Sequence, residues 1–453
     1  MINNVNIIAV DDELDELTAI QNAFFSGGIS CLPIHFQYDV INNKSGIEHI
    51  NVANFKPRVV VTDLNLMNGS LGKPMDLVTP IANLLKKLAI EGPYLLIFWS
   101  GVTDQVAEVM ELLQNRFGSE LTLPLHHSSI DKNQYLQADD PNILKDKVCE
   151  LINESALLNA LLDWEVRVSK AAKATINELF KLTKPEPTQN YQEQHKSKLE
   201  ETLALIGNES IGEKNAKIEP ELAIDSGLAP VLQDQLNSLS TRPKLWSAAS
   251  PALGNNIKVN DSKLKIALNS FCHIEEVSKD YPINCRGVFV SISPKILLNE
   301  TAKKTLESNL GLDIDKIIKE EFLNFKVKDK NLEEVTFETT LGFIEISAEC
   351  DQAQQKTTLH KYVLAALTPL KYEDYDLYDK SRSAHGAIYR IPDISYQGKD
   401  YMLQVSFRYQ IGSLPSRNKW FGEPLLRLKD QVMSDLTFNF AHNISRPGII
   451  HFR

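Results

Sequence analysis

The chain has 453 residues, enough for two or three domains that each bury a core. With 43% hydrophobic and 24% charged residues it falls in the ordinary globular range, neither disordered nor fibrous. A formal net charge of -11 and a pI of about 5.5 speak against a nucleic-acid partner, because binding a phosphate backbone needs a basic face. The five cysteines (Cys31, Cys149, Cys272, Cys285 and Cys350) are odd in number, scattered, and form no CxxC. A disulfide framework or a structural zinc site is therefore not expected, and a reducing compartment fits. The N-terminus enters a strand without a signal-peptide pattern, and no apolar run approaches a membrane span. The expectation is a cytoplasmic protein with no membrane segment.

Taken in order, Val5 to Val10 is a buried-strand run ending in Asp11-Asp12-Glu13. Leu14 to Phe25 has helical spacing and is stopped by Ser26-Gly27-Gly28. Ile34 to Val40 alternates like a strand, and Gly46 to Phe55 reads as a weak helix. Arg58-Val-Val-Val-Thr-Asp63 runs four apolar or β-branched residues into one carboxylate, the pattern of a strand buried on both faces. Leu77 to Leu88 is helical, Tyr94 to Trp99 is a strand ending in Ser100-Gly101, and Val106 to Phe117 is a helix. Leu121 to Ile130 contains the next strand, with Lys132 just beyond it. Strand and helix alternate five times, which predicts an α/β fold: a doubly wound, parallel, five-stranded, flavodoxin-like domain over residues 1–135.

Polar groups follow the ends of four of these strands: Asp11-Asp12, Asp63, Ser100 and Lys132. In a flavodoxin-like order those ends converge on one crevice. Three crowded carboxylates attract a hard cation, and Mg2+ suits a site of one or two carboxylates that also meets phosphate oxygens. A carboxylate nucleophile can form an aspartyl-phosphate, while a Ser hydroxyl and a Lys ammonium donate to the remaining phosphoryl oxygens.

This set resembles the receiver domain of two-component response regulators. The resemblance implies that Asp63 accepts a phosphoryl group from a histidine kinase. It also implies that Asp12 and Asp63 bind Mg2+ directly, Asp11 through water, and the Asn65 backbone carbonyl as a further ligand. Ser100 would move toward the phosphate and Lys132 would pair with it. The sequence departs from the receiver pattern in two places. No Pro follows Lys132, and the loop after Asp63 (Asn65 to Met75) is long. If the fifth strand ended early, His126 or His127 would take the lysine's place.

Residues 136–245 read as a helical connector. An amphipathic stretch over 142–182 forms one long helix or two broken near Glu154-Ser155, either as a core helix or as the seam of a homodimer. Helices are expected over 192–206 and 220–239, with a loop over 208–217. Residues 246–453 predict an α+β domain or small β-barrel: strands at 286–293, 334–340 and 342–347, a helix through 353–367, a small antiparallel sheet through 389–411, and a helix over 424–442. Cys350, at a strand-to-helix turn with His360 on the following helix, is a thiolate candidate, although Asp351 beside it reads as a helix cap. Trp420-Phe421 beside Arg417 and Lys419 reads as core packing or an exposed recognition loop. No P-loop, HExxH, kinase Gly-rich loop or basic helix-turn-helix occurs, so no enzymatic activity is expected.

The layout is similar to that of buffering response regulators of bacterial defensive, anti-phage two-component systems, which drain phosphate from a kinase. The competing expectations are an effector whose C-terminal domain is an enzyme switched by phosphorylation, and a scaffold with a degenerate receiver.

Overall fold

The computed structural model describes residues 7–445 apart from 27, 38–44, 53–54, 68–71, 136–139, 141, 188, 240–243, 256–260, 324–331, 355, 377–386 and 415–418. The chain divides into two compact units, Met1–Leu199 with Leu228–Asn256, and Glu200–Gly227 with Ile257–Arg453. The helices of the expected connector are shared between the two.

In the first unit, β1 (Ile7–Asp11) leads into α1 (Leu14–Ser26) and β2 (Cys31–His35). Next come β3 (Val59–Asp63), α2 (Pro74–Leu88), β4 (Leu95–Ser100), α3 (Val106–Phe117) and β5 (His126–Asp131). The strands form one sheet in the order β2-β1-β3-β4-β5, and every pairing is parallel. The three central strands are buried along their whole length, as their unbroken apolar runs require. Successive side chains leave opposite faces. Ile8, Val10, Val60, Leu96 and Phe98 meet Leu77, Ile81, Leu84 and Leu85 of α2 and Val109 and Leu113 of α3. Ile7, Ala9, Val59, Val61, Leu95, Ile97 and Trp99 meet Leu17, Ile20 and Phe24 of α1 on the other face.

That second face is completed by α4 (Asn142–Glu154) and the start of α5 (Ala156–Leu182), through Leu144, Val148, Leu151, Leu158 and Leu162. The apolar stretch is therefore two helices. Ser155 breaks it, with extended backbone and an Oγ that accepts the Leu158 N–H at 3.3 Å. A bidentate pair ties α5 to the residue before β3: the Arg58 guanidinium donates to Glu165 at 2.7 to 3.1 Å. After α5 come α6 (Tyr191–Ile211), α7 (Glu213–Ile218), α8 (Pro220–Ser238) and α9 (Leu245–Ala249).

The second unit is α+β. It continues with α10 (Ser262–His273), β6 (Ile274–Glu276), β7 (Val288–Ile292), α11 (Pro294–Leu297), α12 (Glu300–Leu310) and α13 (Ile314–Ile317). Next are α14 (Leu332–Glu338), β8 (Thr340–Glu345), α15 (Glu349–Ala353) and β9 (His360–Pro369). β10 (Ile388–Tyr396), β11 (Lys399–Ser413), β12 (Phe421–Leu428) and α16 (Asp430–Ile444) complete it. Seven strands form an antiparallel sheet ordered β10-β11-β9-β8-β7-β12-β6. One face packs on Leu306, Leu310, Ile314 and Ile317, and the other on Val432, Met433 and Leu436 of α16.

Several expectations are corrected. Residues 46–52 and 55 form turns and irregular backbone rather than a helix. The polar 208–217 stretch is helical, split only by Gly212 at φ 86°. The β-branched 334–338 run is helix α14, where the Thr336 and Thr339 hydroxyls bond back to Leu332 and Val335 carbonyls. Residues 360–367 are not a helix but lie in the interior strand β9, paired on both sides. A fully apolar run carries no period to separate the two states. Pro424 does not open a helix; it sits at a register irregularity in β12, where its missing N–H is tolerated.

Candidate functional site

The register of the parallel sheet assembles the site. Asp11 ends β1, Asp63 ends β3 opposite Trp99, and Ser100 ends β4 one residue further along, opposite Asp131. Lys132 follows β5 directly. Carboxylate oxygens of Asp11, Asp12 and Asp63 all lie within 4.8 Å of one another. Asp11 is fully buried, and Asp63 and Ser100 nearly so.

Backbone donors hold two of the carboxylates in place. The Glu13 N–H donates to Asp11 Oδ1 at 2.8 Å, and the Leu64 N–H donates to Asp63 Oδ1 at 2.7 Å. Asp11 Oδ2 is buried and has no hydrogen-bond partner among the described residues. Burial raises the Asp11 pKa to about 8, opposed by the Glu13 N–H and reinforced by Asp63, Glu16 and Asp12. Burial likewise raises Asp63 to about 6, while Lys132 and the Leu64 and Asn65 N–H groups pull it down. An unpartnered buried carboxylate oxygen beside two more carboxylates is the donor set of a hard, oxygen-seeking cation. The residues therefore fit Mg2+.

Lys132 donates to Glu16 at 2.9 Å, across from the cluster. Burial works against its ammonium, but Glu16, Asp63 and Asp11 outweigh that and raise its pKa. Glu16, absent from the expected site, lies in the first turn of α1 just past the end of β1. Ser100 Oγ accepts the Val102 N–H at 3.2 Å. Asn65 lies two residues past Asp63, and its N–H is directed at that carboxylate. His126 and His127 open β5, opposite Leu95 and Leu96, at the far end of the strand from the cluster. They do not take the lysine's position, because β5 runs the full six residues to Asp131. Of the long loop after Asp63, residues 68–71 lie outside the described residues.

In the second unit, Cys350 and His360 do not share a helix. Cys350 is exposed on α15, where its thiol lies 3.8 Å from Asp351. His360 opens strand β9 and bonds instead to Glu345, which is buried. Phe421 packs on Phe343 and Tyr362, and Trp420 lies against the same core; Arg417 is outside the described residues.

The five-stranded parallel sheet with its acidic cluster is receiver-like. No protein-family model matches the chain, and no curated protein matches it. No helix among the described residues is long and apolar enough to cross a membrane.

Proposed function

We propose that the first unit is a phosphoacceptor, with Asp63 as the acceptor and a histidine kinase as the natural donor. The observation that carries this reading is the convergence of Asp11, Asp12 and Asp63 at adjoining strand ends, with Lys132 close enough to lower the Asp63 pKa. The Leu64 and Asn65 N–H groups orient the Asp63 carboxylate, one oxygen of which attacks phosphorus. That attack forms an acyl phosphate and breaks the phosphorus bond to the donor's nitrogen, which leaves with the bonding pair and takes a proton. With a pKa near 6, Asp63 is mostly ionised at pH 7 and able to attack. Asp11, Asp12 and Asp63 would hold Mg2+, which neutralises charge on the incoming phosphoryl oxygens. Lys132, released from Glu16, supplies an ammonium donor to the phosphoryl group, and Ser100 a hydroxyl donor.

On this reading the chain takes up phosphoryl groups in a two-component pathway, as a sink or as a regulator acting through protein contacts. The test is incubation with Mg2+ and acetyl phosphate followed by intact-mass measurement. One phosphoryl adduct is expected on the wild type and none on Asp63→Asn. An adduct of equal yield on Asp63→Asn would refute the assignment.

A further inference from the structure

The second unit contains a polar cavity of about 720 Å³ that the phosphoacceptor reading does not use. Its volume lies within the range of roughly 300–1,000 Å³ common to small-molecule sites. Arg286, Gln352, Thr357 and His360 line it.

Three of these residues carry buried groups without a hydrogen-bond partner among the described residues: Arg286 Nε, Gln352 Nε2 and Thr357 Oγ1. The Gln352 amide is oriented, because its Oε1 accepts the Arg286 backbone N–H at 2.8 Å. The nitrogen left over is therefore a donor. Among the described residues, the Arg286 guanidinium makes only long contacts of 3.5 Å, to Glu349 and Thr437. His360 Nδ1 lies 3.0 Å from the buried Glu345 Oε1, which fixes that ring at the cavity edge. Folded proteins leave few buried donors unpaired, so several on one cavity wall point to something that accepts from them.

The acidic groups nearby are engaged elsewhere or face solvent. Asp430 is paired with Arg427 at 2.8 Å, the Glu349 side chain is 71% exposed, Glu345 is bonded to His360 and the Ser347 N–H, and Glu219, which also lines the cavity, has a partner of its own. An oxyanion has the matching chemistry: several lone pairs in one plane or tetrahedron, bidentate toward a guanidinium and able to accept from an amide and a hydroxyl.

We propose that this cavity binds a small molecule through an oxyanion group, a carboxylate or a phosphate, held by Arg286, Gln352 and Thr357. A rotation of the Thr357 hydroxyl and a small swing of the Arg286 and Gln352 ends bring the three unpaired donors onto the ligand. The site gives the second unit a ligand of its own, independent of the carboxylate cluster.

The test is a titration of inorganic phosphate into the full chain with EDTA present, read by broadening of the phosphate 31P resonance. The expected result is saturable binding in the millimolar range. It should weaken about tenfold or more in both Arg286→Gln and Gln352→Leu, the loss of one charge-assisted or amide hydrogen bond. Binding should be unchanged in Asp63→Asn, which separates this site from the first unit. Displacement of phosphate by acetate would identify general oxyanion recognition, and failure of acetate to displace it would identify phosphate as the preferred group. Absence of saturable broadening, or equal binding in both cavity variants, would overturn the proposal.

Discussion

Replacing Asp11 by Asn should stabilise the metal-free protein, although it removes a buried, hydrogen-bonded residue. The unfolded chain releases the Asp11 proton near its ordinary value of 3.8, and the folded chain near 8. The folded state therefore binds the proton more tightly. Stability contributed by the protonated form is complete below pH 4 and is lost as the pH rises toward 8. Each pH unit in that window costs about 1.4 kcal/mol, so by pH 7 the cost reaches about 4 kcal/mol as an upper bound. Relaxation and water entry reduce this, and about 2 kcal/mol is the working figure. Asn keeps an oxygen for the Glu13 N–H and carries no charge. In EDTA at pH 7 to 8, thermal unfolding of the first unit should move up by about 4–8 °C, on a scale of roughly 2–4 °C per kcal/mol for a unit of this size. The wild type should lose stability from pH 5 to pH 8 and regain it with Mg2+, which binds only the folded cluster. The variant should show a flatter pH profile and little Mg2+ response. A variant less stable than wild type in EDTA, or one that Mg2+ stabilises equally, would refute the electrostatic reasoning.

Other substitutions probe other links. Lys132→Met removes the charge that lowers the Asp63 pKa, so phosphorylation by acetyl phosphate should slow at least about tenfold, with its pH midpoint displaced upward; rates measured from pH 5 to 8 check this. Ser155→Ala removes the cap between α4 and α5 and should cost about 1 kcal/mol in urea unfolding, without affecting Mg2+ binding. In the second unit, a Cβ at Gly342 would meet the Val290 carbonyl and stand 2.6 Å from the Phe289 ring. Gly342→Ala should destabilise that unit by about 1–3 kcal/mol, with Asp63 phosphorylation retained.

The N-terminal sheet and its acidic cluster were legible because two signals coincide there. Val59-Val-Val61 and Leu95-Leu-Ile-Phe98 are apolar without a break, and each ends in a polar residue at the functional edge of the sheet. Glu16 was not legible, because an acidic residue in the first turn of a helix is usually explained by the helix dipole. Its pairing with Lys132 depends on two elements more than a hundred residues apart. The antiparallel half was read less well for a related reason. β9 is buried on both sides between β8 and β11, so Tyr362 to Leu367 shows no alternation, and its apolar spacing fits a helix through 353–367 as well as a strand. A helix there would separate His360 from Glu345, whereas the strand pairs them at the edge of the polar cavity. The Arg58–Glu165 pair that anchors α5 was equally invisible, since both residues look like ordinary solvated charges in the sequence.

If Asp63 carries the phosphoryl group, chemical trapping locates it on that side chain. After reaction with acetyl phosphate and Mg2+, borohydride reduces an acyl phosphate to the alcohol, which marks the modified aspartate permanently for peptide mass spectrometry. Homoserine is expected at position 63, dependent on Mg2+ and reduced in Lys132→Met. Reduction at another aspartate, or no mark at any position while Mg2+ is bound, would contradict it.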